Sequence, residues 1–186
     1  RIMMERAQLI ALQAQINPHF LYNTLSMINW KAIEAGQPDI SKITLSLSSF
    51  YRTSLNKGKN VIELSGEIQN IRSYLDIQLM LHDDGFDVEL DVDEDTLKYT
   101  IPNLVLQPLV ENAIEHGVDV MTEGRGKVTV KCKEKGEFIE LSVIDNGVGM
   151  TEEQAKTILT SDSKGYGVRN VNERIKLFYG AQYSLK

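Results

Sequence analysis

At 186 residues, with 42% hydrophobic and 25% charged side chains, the chain is long enough for one large packed domain or two small ones. Its 20 Lys and Arg against 26 Asp and Glu leave a net charge of -6, which argues against nucleic acid or an anionic membrane as the main partner. Cys132 is the one cysteine, which excludes an internal disulfide and a thiolate metal cluster, and no apolar run approaches the roughly 18 residues of a membrane span.

Residues 1–35 read as one long helix with Ile2, Leu9, Leu12, Ile16, Phe20, Met27 and Ile28 on its buried side. Within it lies Gln15-Ile16-Asn17-Pro18-His19-Phe20-Leu21-Tyr22-Asn23, where His19 and Asn23 stand one turn apart on the flank of the apolar face. Either this is a helix-interface histidine beside a proline kink, or it is an imidazole held half in a seam and half in solvent for chemistry. Gly36 to Asp39 reads as a turn. Residues 39–57 read as a second helix, with Ile40, Ile43, Leu47, Phe50 and Leu55 inward and Gly58 past its end. An antiparallel hairpin of this kind cannot cover both apolar faces alone, and a second copy is the simplest partner. A third helix, about Ser65 to Leu81, carries Ile68, Ile71, Leu75 and Leu79 on one face.

Phe86, Val88, Leu90 and Val92 then alternate with Asp87, Glu89, Asp91 and Asp93, the pattern of a strand with one face in water. Pro102 suits the first position of a helix that continues through Leu106, Leu109, Val110, Ala113 and Ile114 to Gly117. Val128, Val130 and Cys132 mark a second strand, and Phe138 to Ile144 a third, across a Lys135-Gly136 turn. Thr151 and Gln154 form a capping box for a short helix, and Gly167 to Tyr179 is the last helix. Helices first, then helices with an antiparallel sheet, predict an α+β chain: an all-α unit followed by an α+β domain. Arg1 to Arg6 carries no helix start signal and Tyr183 to Lys186 reads as a strand cut short, so the chain is expected to belong to something longer.

Three stretches carry chemistry. Asp145-Asn146-Gly147-Val148-Gly149-Met150 closes a strand; it is either a glycine-rich turn or a carboxylate facing a pocket, able to accept a hydrogen bond from an exocyclic amine. Gly165-Tyr166-Gly167 opens a helix with Val168-Arg169-Asn170, a weak signal for an anion site. Leu106 to Gly117 places Asn112 and His116 four residues apart; Asn112 is either an oxygen ligand for Mg²⁺ beside phosphates or a bonded helix–helix asparagine.

In the order Asn112, Asp145-x-Gly147-x-Gly149 and Gly165-x-Gly167, these stretches resemble the N, G1 and G2 boxes of the Bergerat ATP-binding fold. That fold is shared by gyrase, heat-shock chaperones and histidine kinases. Gln15 to Leu25 resembles the phosphoacceptor helix of LytS/YesM-like sensor histidine kinases, and Leu64, Glu67, Tyr74 and Leu75 also fit that family. The resemblance covers nearly the whole chain. It implies that residues 1–60 are dimerisation and histidine-phosphotransfer helices, forming a dimeric four-helix bundle. Residues 61–186 are then an ATP-binding α/β sandwich whose last strand is missing.

By position the resemblance implies His19 as phosphoacceptor and Asn112, with His116 beside it, as the ligand of Mg²⁺ carried by ATP. Asp145 reads adenine. Gly147, Gly149, Gly165 and Gly167, with Arg169 and Asn170, shape the nucleotide pocket and lid. The implied activity is ATP-dependent autophosphorylation of His19, then transfer to an aspartate of a response regulator receiver domain. The implied setting is a homodimer in the cytoplasmic part of a bacterial membrane sensor, with the membrane reached only through a sensor region outside this chain. Many histidine kinases place an acid directly after the histidine; here Phe20 stands there. A base must come from elsewhere, with Glu111 preferred to Glu115 because it precedes Asn112. Asn23 is placed to orient a water for dephosphorylation. Leu81-His82 replaces the arginine-phenylalanine pair common in the family, and Thr151 to Lys164 is short for an ATP lid. The alternative is a nucleotide-binding regulatory or dimerisation module of the same fold without efficient phosphotransfer.

Overall fold

The computed structural model describes residues 17–54, 60–159 and 166–186. Asn17 lies just outside the first helix in an extended conformation, and its side-chain oxygen accepts the N–H groups of His19 and Phe20 at 3.1 and 3.3 Å. It is an N-cap, with Pro18 in the first turn where a missing donor costs nothing. Helix α1 therefore begins at Pro18 and runs to Glu34. The unbroken helix predicted across Asn17 is corrected by this cap, and its earlier part lies outside the described residues.

Gly36 adopts a φ of +64°, which favours glycine, and turns the chain back into α2, Pro38–Ser54. Ser41 donates to Asn29 across the pair at 2.6 Å. The antiparallel hairpin is as predicted, but its faces are not. Leu25 and Ala32 are buried on α1, whereas Phe20, Met27 and Ile28, predicted to be inward, are exposed, as is Ile40 on α2. Leu55 and Gly58 lie outside the described residues.

Helix α3, Leu64–Leu81, buries Leu64, Ile68, Ile71 and Leu75. Just before it, β1 (Val61–Glu63) pairs antiparallel with β3 (Thr100–Pro102), a two-stranded ribbon not foreseen from the sequence. Pro102 thus closes a strand and does not start a helix. The main sheet has the order β2-β4-β5, with β2 at Phe86–Val92, β4 at Gly126–Lys135 and β5 at Phe138–Asp145. β4 and β5 are antiparallel neighbours across a turn in which Gly136 has a φ of +63°. β2 and β4, however, are parallel. The long connection between them carries a 3₁₀ turn (Glu94–Lys98), β3 and a helix, enough chain for a crossover that returns in the same direction. The sheet is mixed, which corrects the antiparallel expectation.

One face of the sheet packs Phe86, Val128, Val130 and Cys132 against α3 and against Leu106, Val110, Ala113 and Ile114 of the helical segment that follows β3. The other face is lined by cross-strand ion pairs: Arg125 with Asp87, Lys127 with Glu89, and Lys133 with Asp91 and Asp93. The bond from Lys133 lowers the Asp93 carboxyl from its ordinary value. These pairs are largely exposed and neutralise charge more than they stabilise the fold.

Helix α4 covers Gln107–Asn112 and continues as a π-helix over Ala113–Val118, where Asp119 N–H reaches back five residues to the Ile114 carbonyl at 2.9 Å. Helix α5, Glu152–Ile158, carries the predicted capping box. Its two bonds run from Gln154 N–H to Thr151 Oγ1 at 3.2 Å and from Thr151 N–H to Gln154 Oε1 at 2.8 Å. Helix α6 is Tyr166–Tyr179. Tyr183 to Lys186 does not form the predicted strand; Leu185 N–H is taken by Asn172 Oδ1 at 3.0 Å. No helix among the described residues is long and apolar enough to cross a membrane.

Candidate active site

The site is set up by a buried acid on α3. Glu67 is 0% exposed, and its carboxylate accepts the N–H groups of Leu104 at 2.9 Å and Leu106 at 2.8 Å. Leu104 is held at a φ of +57°, a conformation a leucine adopts only under such constraint. Burial pushes the Glu67 carboxyl above its ordinary 4.5, against the downward pull of the backbone donors. This turn delays α4 until Gln107, with Pro108 in its first turn.

Asn112 is the last α-helical residue, half-buried, and the π turn follows it at once. Single π turns inside α-helices often mark functional sites. The turn brings Gly117 against the end of β5. A Cβ on Gly117 would lie 2.5 Å from Asp145 Oδ1, and a Cβ on Gly147 would lie 2.3 Å from the Gly117 carbonyl carbon. Both positions are therefore glycine because protein packs on protein there. Asp145 itself is exposed, and one of its oxygens accepts Gly147 N–H at 2.9 Å. Asn146 clamps the turn to β4: its Oδ1 accepts Lys127 N–H at 2.6 Å and its Nδ2 donates to the Arg125 carbonyl at 3.0 Å. Gly149 has a φ of +68°. Val148 and Met150, in the turn that follows Asp145, are exposed. Ile144, also exposed, pairs with Thr129 and faces the opposite side of the sheet. A carboxylate with an open oxygen can accept a hydrogen bond from an amine-bearing ring.

Gly117→Ala is accordingly expected to weaken ATP binding as much as Asp145→Ala does, roughly 10- to 100-fold, the scale of one charge-assisted hydrogen bond. Calorimetry reads it, and unchanged affinity in both variants would remove the pocket.

The α6 end joins the same region, since a Cβ on Gly167 would meet Pro108 Cβ at 3.2 Å. Arg169 is half-buried and Asn170 exposed in the first turns of α6, while Gly165 lies outside the described residues. His116 is exposed on the π turn, where the α-helical spacing used to pair it with Asn112 no longer holds. Glu115 is also exposed; Glu111 is half-buried and accepts a bond from Gln107 Nε2 at 2.7 Å. Burial, and then the charges of Glu111 and Glu115, push the Tyr74 phenol up to about 12, so this flank of α4 is electronegative.

His19 and Asn23 form a second cluster. Both are exposed, and the Asn23 carboxamide nitrogen lies 3.3 Å from His19 Nδ1. The side chain of His19 touches neither Asn112 nor Asp145. Among the described residues no cluster of three or more His, Cys, Asp or Glu is arranged to hold a metal. One carboxamide oxygen at Asn112 still fits Mg²⁺, which usually keeps several waters and is held through substrate phosphates with one or two protein oxygens.

Gly117, Asn146, Asn70 and Gln107 escaped the sequence reading of the site. The signal for Glu67 was present: Glu67, Ile71 and Leu75 fall four apart on one helical stripe, so an acid lies in line with buried residues.

Two family models match the chain: "Histidine kinase" over residues 7–86 and "Histidine kinase-, DNA gyrase B-, and HSP90-like ATPase" over residues 98–185. Sensor histidine kinase YesM of Bacillus subtilis is 36% identical over 100% of this chain and 32% of its own length. Sensor histidine kinase YpdA of Escherichia coli is 34% identical over 97% of this chain and 32% of its own. The chain thus spans about a third of the length of these curated relatives. A solved histidine kinase domain, from the blue-light activated histidine kinase of Erythrobacter litoralis EL346, superposes with a TM-score of 0.48 at 17% identity, covering 83% of this chain and 84% of that one.

Proposed function

Because the chain belongs to the sensor histidine kinase family, we propose that it is the kinase core of a two-component sensor. It moves the γ-phosphoryl group of ATP to His19 and from there to an aspartate of a response regulator. The observation that supports this best is the seating of Gly117 on Asp145 and Gly147, which brings the end of the Asn112 helix against the glycine turn. Residues 1–60 act as the dimerisation and phosphotransfer unit and residues 61–186 as the ATP-binding unit.

In this reading Asp145 accepts the adenine amine, the exposed Val148 and Met150 of the following turn flank the ring, and Asn112 is the protein oxygen toward the metal. Mg²⁺, when bound, offsets charge on the phosphates. A neutral His19 attacks the γ-phosphorus through one ring nitrogen. The N–P bond forms as the bond to the bridging oxygen breaks, and ADP leaves with that electron pair. The other nitrogen keeps its proton, and an acceptor there stabilises the positive charge that develops on the ring. Glu111 is that acceptor. Asn23 lies close enough to help orient the ring, and it holds a water during dephosphorylation of the regulator.

The test is incubation with γ-labelled ATP. An acid-labile label, lost in His19→Gln, is expected. Nucleotide binding without such a label would instead favour a regulatory module of the same fold.

A homodimer accounts for the hairpin's free face, where Phe20, Met27, Trp30, Ile33 and Leu45 are exposed, Phe20 to 70%. Burying such a patch against a second copy makes a four-helix bundle. Sedimentation at micromolar concentration is expected to report a dimer that Met27→Glu weakens; a folded wild-type monomer would overturn it. The relatives are named as bacterial sensor histidine kinases, and the setting proposed for this chain is the cytoplasmic portion of a membrane sensor.

A further inference from the structure

We propose that Gln107 is a positioning residue for Glu111, and that it is held in turn, through Asn70, by the end of the hairpin that carries His19. The inference rests on the reading of Glu111 as the acceptor for the His19 proton.

Five side chains make one directed network of hydrogen bonds. Thr53 and Ser54, in the last turn of α2, donate their hydroxyls to Asn70 Oδ1 at 2.7 and 3.1 Å. Asn70, on α3 and 1% exposed, donates through Nδ2 to Gln107 Oε1 at 2.9 Å. Gln107, in the first turn of α4, donates through Nε2 to Glu111 Oε1 at 2.7 Å. The polarity is set from the Glu111 end. A carboxylate can only accept, so the Gln107 amide group turns toward Glu111 and the Gln107 oxygen accepts from Asn70 Nδ2. Asn70 Oδ1 is thereby left to accept from the hydroxyls, of which Thr53 Oγ1 also lies 2.9 Å from the Phe50 carbonyl and 3.1 Å from that of Ser49. One Glu111 oxygen is thereby engaged and the other is left for an incoming N–H.

The hairpin end of the chain is the phosphoacceptor end. Arg52 stacks over the Tyr22 ring at 5.7 Å, so the last turn of α2 lies beside the first turns of α1. Buried polar chains of this kind are retained where they specify one arrangement, because each member left unpaired would be costly. Here the arrangement specified is the rotamer of Glu111 relative to the helices that present His19. A carboxylate so held loses little freedom when the imidazole arrives.

Gln107→Met keeps the length of the side chain and removes both bonds. It is expected to slow phosphorylation of His19 by roughly 10- to 100-fold, with KM for ATP nearly unchanged, the loss typical of a misplaced catalytic group. In a Glu111→Gln background the same substitution is expected to add nothing, because residues acting as one unit are non-additive. Thr53→Val with Ser54→Ala, which substitutes no residue of the ATP-binding unit, is expected to give a smaller loss of the same kind, and it carries the test if Gln107→Met does not fold.

A wild-type rate in Glu111→Gln would remove the proposed acceptor, and the positioning role with it. If Glu111→Gln is slow, the positioning role alone falls on any of three results: a wild-type rate in Gln107→Met, an equal further loss from it in both backgrounds, or a loss of ATP affinity that accounts for its slower rate.

Discussion

Glu111→Gln is expected to slow autophosphorylation by about 10²–10⁴-fold, the range of lost acid–base assistance, with ATP affinity nearly intact. The substitution changes charge and little else. The new amide oxygen can still accept from Gln107 Nε2, which now meets Glu111 at 2.7 Å, so the local packing stands. On the proposed mechanism, what is lost is the negative charge that faces the imidazole as it becomes a phosphoimidazolium. Glu115 is the natural control: it lies on the same helical run but is exposed. Glu115→Gln is therefore expected to change the rate little. Quench-flow with labelled ATP separates the rate from binding. A wild-type rate in Glu111→Gln would send the search to Glu115, to Asn23 or to the partner protomer.

Glu67→Ala is expected to destabilise the fold by about 3–5 kcal/mol. Two buried backbone donors, at Leu104 and Leu106, would lose their acceptor at roughly 1–3 kcal/mol each, and the truncated side chain would leave a void. Glu67→Gln fills the space but satisfies one donor at most, so it should cost less. The pH dependence has a definite sign. Burial raises the folded carboxyl above 4.5, so just above that pH the folded state binds more protons than the unfolded chain. Stability then falls as pH rises through that window. Urea midpoints at successive pH values should show this fall in the wild type and not in Glu67→Gln. An Ala variant as stable as the wild type would mean the Leu104 turn holds without its carboxylate.

What was legible in the sequence was what depends on near neighbours. The stripe of Ile68, Ile71 and Leu75, the alternation of Phe86 to Asp93 and the Thr151–Gln154 cap are local patterns, and each was found as read. Features set by distant partners were not legible. Pro102 fitted a helix start until β1 was seen to pair with β3, and a carboxylate 37 residues away decides where α4 begins. The unbroken first helix failed at Asn17 because an asparagine before a proline serves better as a cap than as an interior residue. The inward residues of α1 were misassigned for another reason. Hydrophobic spacing identifies a face that wants cover, and among the described residues none covers Phe20 or Met27. For the site, Asp145 and its glycines were visible as a motif. Gly117 was not, since its reason is a carboxylate on another element.

Trp30 is the sole tryptophan of the chain, and it sits on the uncovered side of α1 with 62% of its surface exposed. The chain thus carries a single indole, placed where a neighbouring helix would change its surroundings. Indole emission excited selectively at the red edge reports the polarity of that one surface without a label. Nucleotide chemistry and helix association can for that reason be followed in the same cuvette by separate signals.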